Sequence, residues 1–277
     1  MDYIKIEFSI SPYQPWSEIL ANDLVGIGFD SFTEENEKLQ AYIPSVDFQS
    51  ATLDEQLERY SDIEISFTKE EIPSQNWNAI WESDFQPVEV NNDLIIYAPF
   101  HDLDVTKYKN AVEIQPQMSF GTGHHQTTFL LSKTLLSYDL TDKTVLDVGT
   151  GTGILGILSS KLGAKKVFGT DIESGACENA IENINRNNIE NFSIELGDIN
   201  VIPYEKYDVI IANINKNVLK SHFQGYAERS KPGTLLMLSG FFEADVSELE
   251  IEAKKSNFIL DQVLTFETWA VMLLIKH

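Results

Sequence analysis

The run Val145-Leu-Asp-Val-Gly-Thr-Gly-Thr-Gly153 constrains the fold more than any other stretch of the chain. Residues 144–148 are β-branched and apolar around Asp147, the composition of a buried strand. Three glycines then alternate. Ile154, Leu155, Leu158 and Leu162 recur at helical spacing before Gly163, a C-cap candidate. Strand, glycine turn and helix in succession bring bare backbone N–H groups to a ligand, because glycine has no Cβ and tolerates positive φ. A chain built on such units alternates strands and helices, so the expected class is α/β.

The spacing narrows the ligand. Residues 166–170 read as a second strand, and Asp171 ends it, 22 residues after Gly149. An acid at that distance sits beside the glycine turn and suits a ribose diol. Dinucleotide sites share this layout but place their third glycine three residues after the second, where this chain has Ile154. The G-x-G-x-G order resembles the first motif of S-adenosylmethionine (SAM)-dependent methyltransferases.

Composition bounds the setting. The net charge of −23 repels nucleic-acid phosphate and favours basic partners, so no direct nucleic-acid substrate is expected. The one cysteine, Cys177, allows no intrachain disulfide and fits a reducing, cytoplasmic compartment. The first residues carry neither a basic region nor an apolar run, so no signal peptide is expected. The apolar runs at 234–238 and 269–275 fall far short of the ~18 residues of a membrane span.

Residues 1–72 have a pattern of their own. Ile4, Ile6, Phe8 and Ile10 alternate as a strand, and Trp16, Ile19, Leu20 and Leu24 mark a helix closed by Gly26 and Gly28. Strands at 29–32 and 39–43 flank an acidic turn. Leu53, Leu57 and Tyr60 mark a second helix, and Ile63, Ile65 and Phe67 a last strand. The order βαββαβ is that of a small α+β, ferredoxin-like domain. It holds no ligand-binding cluster, so its expected role is interaction. Residues 73–87 read as a linker, with a short helix at 75–81 that puts Trp77, Ile80 and Trp81 on one face.

Residues 88–277 form the larger domain, opening with strands at 88–100. Phe120-Gly-Thr-Gly-His-His-Gln-Thr-Thr128 is a second glycine turn, leading into a helix at 127–138 whose free N–H groups suit a ligand carboxylate. His124 and His125 are adjacent, so their side chains diverge, and no metal site is expected. After Asp171 come a helix capped by Ser174, a strand at 192–196 ending in Gly197-Asp198, and a strand at 207–213 ending in Asn213. Then follow a helix around Leu219, Phe223 and Tyr226, a strand at 234–239 and a helix around Val246. Strands at 258–266 and 268–275 are joined too tightly for a crossover and form an antiparallel hairpin. Five βα units closed by that hairpin give a doubly wound, mostly parallel seven-stranded sheet.

Ligands of such sheets bind at the carboxyl ends of the strands. Gly149, Asp171, Asp198 and Asn213 all fall there. Glycine N–H and carbonyl groups at Gly149, Gly151 and Gly153 suit the amino-acid tail of SAM, Asp171 its ribose diol, and Asp198 its adenine amine. Asn213 lies where the methyl must leave and is the candidate catalytic residue.

The whole chain resembles the bacterial methyltransferases of ribosomal protein L11. The resemblance rests on the small first domain, the Trp77…Trp81…Pro87 linker, the turn at 120–128, the loop at 147–155, and Ala212-Asn-Ile-Asn215. It implies that Thr128, Gly149, Asp171 and Asn213 contact SAM. It also implies that the first domain grips the large-subunit protein L11, and that lysine ε-amines or an N-terminal α-amine are methylated. Gln126 departs from the family, which often has proline or glutamate there, and the stretch after Asn213 varies, which weakens any role for Asn215. A monomer is expected.

Two other readings stay open from the residues alone. One is a SAM-dependent enzyme acting on glutamine, a nucleobase or a small molecule; the other is a SAM-binding module without turnover. Methyltransferases of planar nitrogens usually follow this strand with Asn-Pro-Pro and an aromatic residue. Here the run is Asn213-Ile-Asn-Lys216, which favours a tetrahedral amine.

Overall fold

The computed structural model describes residues 2–72, 85–117 and 121–277. The linker helix expected at 75–81 and Phe120 lie outside them. The chain divides into two compact units, Met1–Asp84 and Phe85–His277.

The first unit contains β1 (Tyr3–Ser11), α1 (Trp16–Val25), β2 (Ser31–Glu35), β3 (Lys38–Pro44), α2 (Ser50–Leu57) and β4 (Glu64–Ile72). Its antiparallel sheet has the order β2-β3-β1-β4, that of a ferredoxin-like sandwich. Ile4, Ile6, Phe8 and Ile10 point to one side of β1, where Leu20 and Leu24 of α1 and Leu53 of α2 complete a core. The β2–β3 hairpin turns on Asn36 and Glu37, both at positive φ, so β2 runs further than the sequence suggests.

In the second unit, β5 (Val88–Val90), β6 (Leu94–Tyr97) and β7 (Asn110–Glu113) form a separate three-stranded sheet. The strands expected at 88–100 therefore stand apart from the main sheet, and β7 was not anticipated, having only Val112 buried in four residues. Next come α3 (Gln126–Leu135), β8 (Thr144–Val148), α4 (Ile154–Lys161), β9 (Lys166–Asp171), α5 (Ser174–Arg186), β10 (Phe192–Leu196) and β11 (Tyr207–Asn213). The chain ends with α6 (Lys216–Glu228), β12 (Ser230–Phe242), α7 (Val246–Lys255), β13 (Phe258–Phe266) and β14 (Trp269–Lys276). The seven-stranded sheet has the order β10-β9-β8-β11-β12-β14-β13, parallel except for β14, which runs antiparallel to both its neighbours.

Strand pleating sends successive side chains to opposite faces, and both faces are apolar. Val145, Ile211, Met237 and Leu273 pack with α3 and α4 on one side. Their neighbours Leu146, Ile210, Leu236 and Leu274 pack with α6 and α7 on the other. That parity makes the sheet doubly wound. The strand order reverses between β8 and β11, so the switch point lies between Gly149 and Asn213.

Two expectations change. Of the five expected βα units only four have their helix, because the chain returns from β10 to β11 as an irregular strap. Ile199 and Ile202 bury into the core, and the 2 % exposed Arg229 donates from Nη2 (2.8 Å) and Nε (3.3 Å) to the Ile202 carbonyl. Ser174 does not cap α5 but is its first residue. Glu173 is the N-cap, and its own N–H donates to Asp171 Oδ1 at 3.1 Å.

Candidate active site

Local sequence shapes the glycine loop. Gly149 has φ 72°, and a Cβ there would sit 2.2 Å from Ile214 Cγ2, so no other residue fits without displacing β11's exit. Gly149 N and Thr150 N both donate to the Thr170 carbonyl, at 2.8 and 2.9 Å. Gly151 N donates to Asp171 Oδ2 at 2.9 Å. Thr152 Oγ1 donates to the Gly121 carbonyl at 2.6 Å, and Asn183 Nδ2 to the Thr152 carbonyl at 2.9 Å. The loop is thereby tied to β9, to α5 and to the turn that precedes α3.

Under the loop, Asp147 is 1 % exposed and accepts from Thr150 Oγ1 at 2.7 Å. Burial outweighs that bond and pushes its pKa up to about 6.

A cleft of about 920 Å³ opens at the carboxyl ends of the strands. Thr128, Gly149, Gly151, Asp171, Asp198 and Asn213 line it. Gly153 does not. It is the N-cap of α4 at φ 82°, and a Cβ there would crowd Ala180 Cβ of α5 at 3.3 Å, so left-handed backbone and close helix packing explain this glycine.

Sheet order sets the sequence of groups along the cleft. Asp198 follows β10, Asp171 ends β9, Gly149 follows β8 and Asn213 ends β11. Asp198 is held ionised by the N–H of Asn200, 2.9 Å from Oδ1. At the other end Asn213 Nδ2 donates to Thr128 Oγ1 at 3.4 Å, joining residues 85 positions apart.

Helix α3 begins beside that pair. Its N-cap is His125, whose Nδ1 accepts from Thr127 N at 3.3 Å. The His125 ring meets Trp269 edge-on at 4.7 Å, and Trp269 in turn lies 4.4 Å from Phe242. His125, which the sequence raised only to set aside as a metal ligand, lines the cleft too, as do Trp269, Glu173, Val218 and His222, which were not singled out from sequence. Glu173 carried a signal, two residues beyond Asp171. Trp269 carried none, since only the antiparallel return of β14 brings it to the site. No group of three potential metal ligands occurs among the described residues.

Residues 22–277 match the family model described as "Ribosomal protein L11 methyltransferase (PrmA)". A protein named ribosomal protein L11 methyltransferase from Phocaeicola vulgatus is 39 % identical over 259 residues, covering 92 % of each chain. One of the same name from Bacteroides fragilis is 36 % identical over 277 residues, covering 98 % of this chain and 99 % of its own. The crystal structure of a ribosomal protein L11 methylase from Lactobacillus delbrueckii subsp. bulgaricus superimposes with a TM-score of 0.65 at 27 % identity, over 70 % of this chain and all of that one. With its doubly wound sheet, glycine loop and strand-end cleft, the chain belongs to the ribosomal protein L11 methyltransferase family, enzymes that take their methyl group from SAM.

Proposed function

We propose that this chain methylates lysine ε-amines or the N-terminal α-amine of ribosomal protein L11, with the cofactor lying along the strand ends. The order of groups in the cleft carries this reading. From β10 to β8 they run carboxylate, carboxylate and glycine loop, the order of adenine amine, ribose diol and amino-acid tail along SAM; the sulfonium between ribose and tail carries the methyl, and Asn213 at the end of β11 lies on the side where it leaves. The volume falls within the usual range for ligand sites, about 300–1,000 Å³. The hydroxyl of Thr170, buried on the cleft wall, has no partner among the described residues.

In this reading Asp198 accepts from the adenine amine and Asp171 from the ribose hydroxyls. Gly149 and Gly151 border the tail, and Thr128 stands at the N-terminus of α3 facing the tail's carboxylate. SAM supplies a methyl on a sulfonium, ready for in-line displacement. The chain supplies placement. The acceptor must arrive as a neutral amine, and a lysine with an ordinary pKa of about 10.4 loses its proton more readily once desolvated. The cleft's carboxylates follow β9 and β10, across β8 from Asn213, so solvent takes that proton. With its Nδ2 held by Thr128, Asn213 turns its oxygen as an acceptor to the amine and aims the lone pair. A tetrahedral amine rotates after each transfer, so one nitrogen takes several methyl groups.

The ferredoxin-like unit, residues 1–72, is the recognition domain, joined through residues 73–87 to the methyltransferase domain at 88–277. The net charge of −23 suits a basic protein substrate rather than nucleic acid. The enzyme acts as a monomer in the cytoplasm, consistent with a single cysteine and with no helix among the described residues long and apolar enough to cross a membrane. The test is transfer of labelled methyl to purified L11. Asn213→Ala should lower kcat about 100-fold while changing SAM affinity little, the pattern of lost positioning. An Asn213→Ala enzyme with full kcat would remove the residue from the mechanism.

A further inference from the structure

The adenine end of the cleft holds a residue with no role assigned above. His222 lies on α6 one turn after Val218, and both line the cleft together with Gly197 and Asp198. One turn further on stands Tyr226, fully buried, its hydroxyl 3.5 Å from His222 Nδ1 and its ring edge-on at 5.9 Å. Burial raises the pKa of that hydroxyl, so it keeps its proton and has it to donate. In the neutral tautomer whose Nδ1 accepts from that hydroxyl, the ring proton sits on Nε2. Burial also holds the His222 pKa below its ordinary value, against the opposing pull of Asp198, so the ring is neutral at pH 7.

In that tautomer the cleft presents an N–H donor and a carboxylate acceptor from neighbouring elements. Adenine has the complementary pattern, since its amine is a donor flanked by ring nitrogens that accept. A 6-oxo purine replaces the amine with an acceptor and carries a proton on N1. We propose that His222 is a specificity-determining residue of the cofactor site, its Nε2–H donating to ring nitrogen N1, next to the amine from which Asp198 accepts. This rests on the placement of adenine at Asp198 in the proposed function.

Calorimetry on the full chain tests it, with S-adenosylhomocysteine and its 6-oxo analogue S-inosylhomocysteine as the probes. The wild type should prefer the adenine ligand by about tenfold or more. His222→Leu should weaken the adenine ligand about tenfold and leave the 6-oxo ligand unchanged. His222→Gln, which restores an N–H donor, should recover part of the loss. A folded His222→Leu protein that binds S-adenosylhomocysteine as the wild type does, or that loses both ligands equally, overturns the proposal. Should the leucine variant not fold, His222→Met carries the same comparison. Asp198→Asn separates the two readings. Unchanged affinity in that variant removes the placement of adenine, and with it the proposal. Weakened affinity there with none in His222→Leu removes the role of His222 alone.

Discussion

Among the described residues, Asp171 uses each carboxylate oxygen once, Oδ2 for Gly151 N and Oδ1 for Glu173 N. Each oxygen has a second lone pair for a ribose hydroxyl. The same side chain thus shapes the glycine loop and faces the cofactor. Asp171→Ala should weaken SAM binding by about 1.5–3 kcal/mol per lost bond to a charged acceptor. Titration calorimetry on the folded variant checks this, and unchanged affinity removes the assignment. Asp147 makes a different prediction. Its folded pKa is raised to about 6, against about 3.9 in an unfolded chain. Below about pH 4 both states hold the proton, and there is no penalty. As pH rises through 6 the folded state must ionise a buried group, and stability falls by up to roughly 3 kcal/mol. Asp147→Asn keeps an acceptor for Thr150 and cannot ionise. Relative to the wild type it should gain stability between pH 4 and pH 7 in urea titrations. A difference independent of pH would show that Asp147 does not titrate as described.

Among the elements, those with a strong period were legible in sequence and those held by long-range contacts were not. Residues 144–171 alternate strand, loop and helix on local pattern alone, and the structure has β8, α4 and β9 there. β5 and β6 fall within the strands expected at 88–100, but β7 and the separate sheet were not legible, because asparagines at the end of α5 hold the chain there. Asn183 of α5 and the C-cap Asn187 accept from the N–H groups of Gln115 and Glu113, at 2.8 and 3.0 Å. Three of the cleft's side chains were equally hidden: His125 acts as a cap, His222 depends on how α6 packs, and Trp269 arrives by an antiparallel return. The strap between β10 and β11 reads as a loop in sequence, yet Arg229 fixes it. Arg229→Ala removes the three hydrogen bonds that its guanidinium donates to the carbonyls of Ile202 and Gly225. It should cost about 2–4 kcal/mol in urea unfolding and weaken cofactor binding, since Asp198 lies on the same strap. A variant as stable as the wild type would show that the strap holds itself.

For the whole molecule, the division between Asp84 and Phe85 puts every described cleft residue in the second unit. Residues 85–277 alone should fold and bind SAM with nearly full affinity but modify L11 far more slowly, a loss in kcat/KM of about 100-fold or more, a few kcal/mol of recognition. Full-rate methylation by the fragment would mean that the first unit does not recognise the substrate. The central claim is that an amine of L11 receives the methyl. Unmethylated ribosomal proteins are incubated with the enzyme and labelled SAM, then mapped by mass spectrometry. The account predicts more than one methyl on lysine ε-amines or on the N-terminal α-amine of L11. Label confined to glutamine, to another protein or to nucleic acid would contradict it.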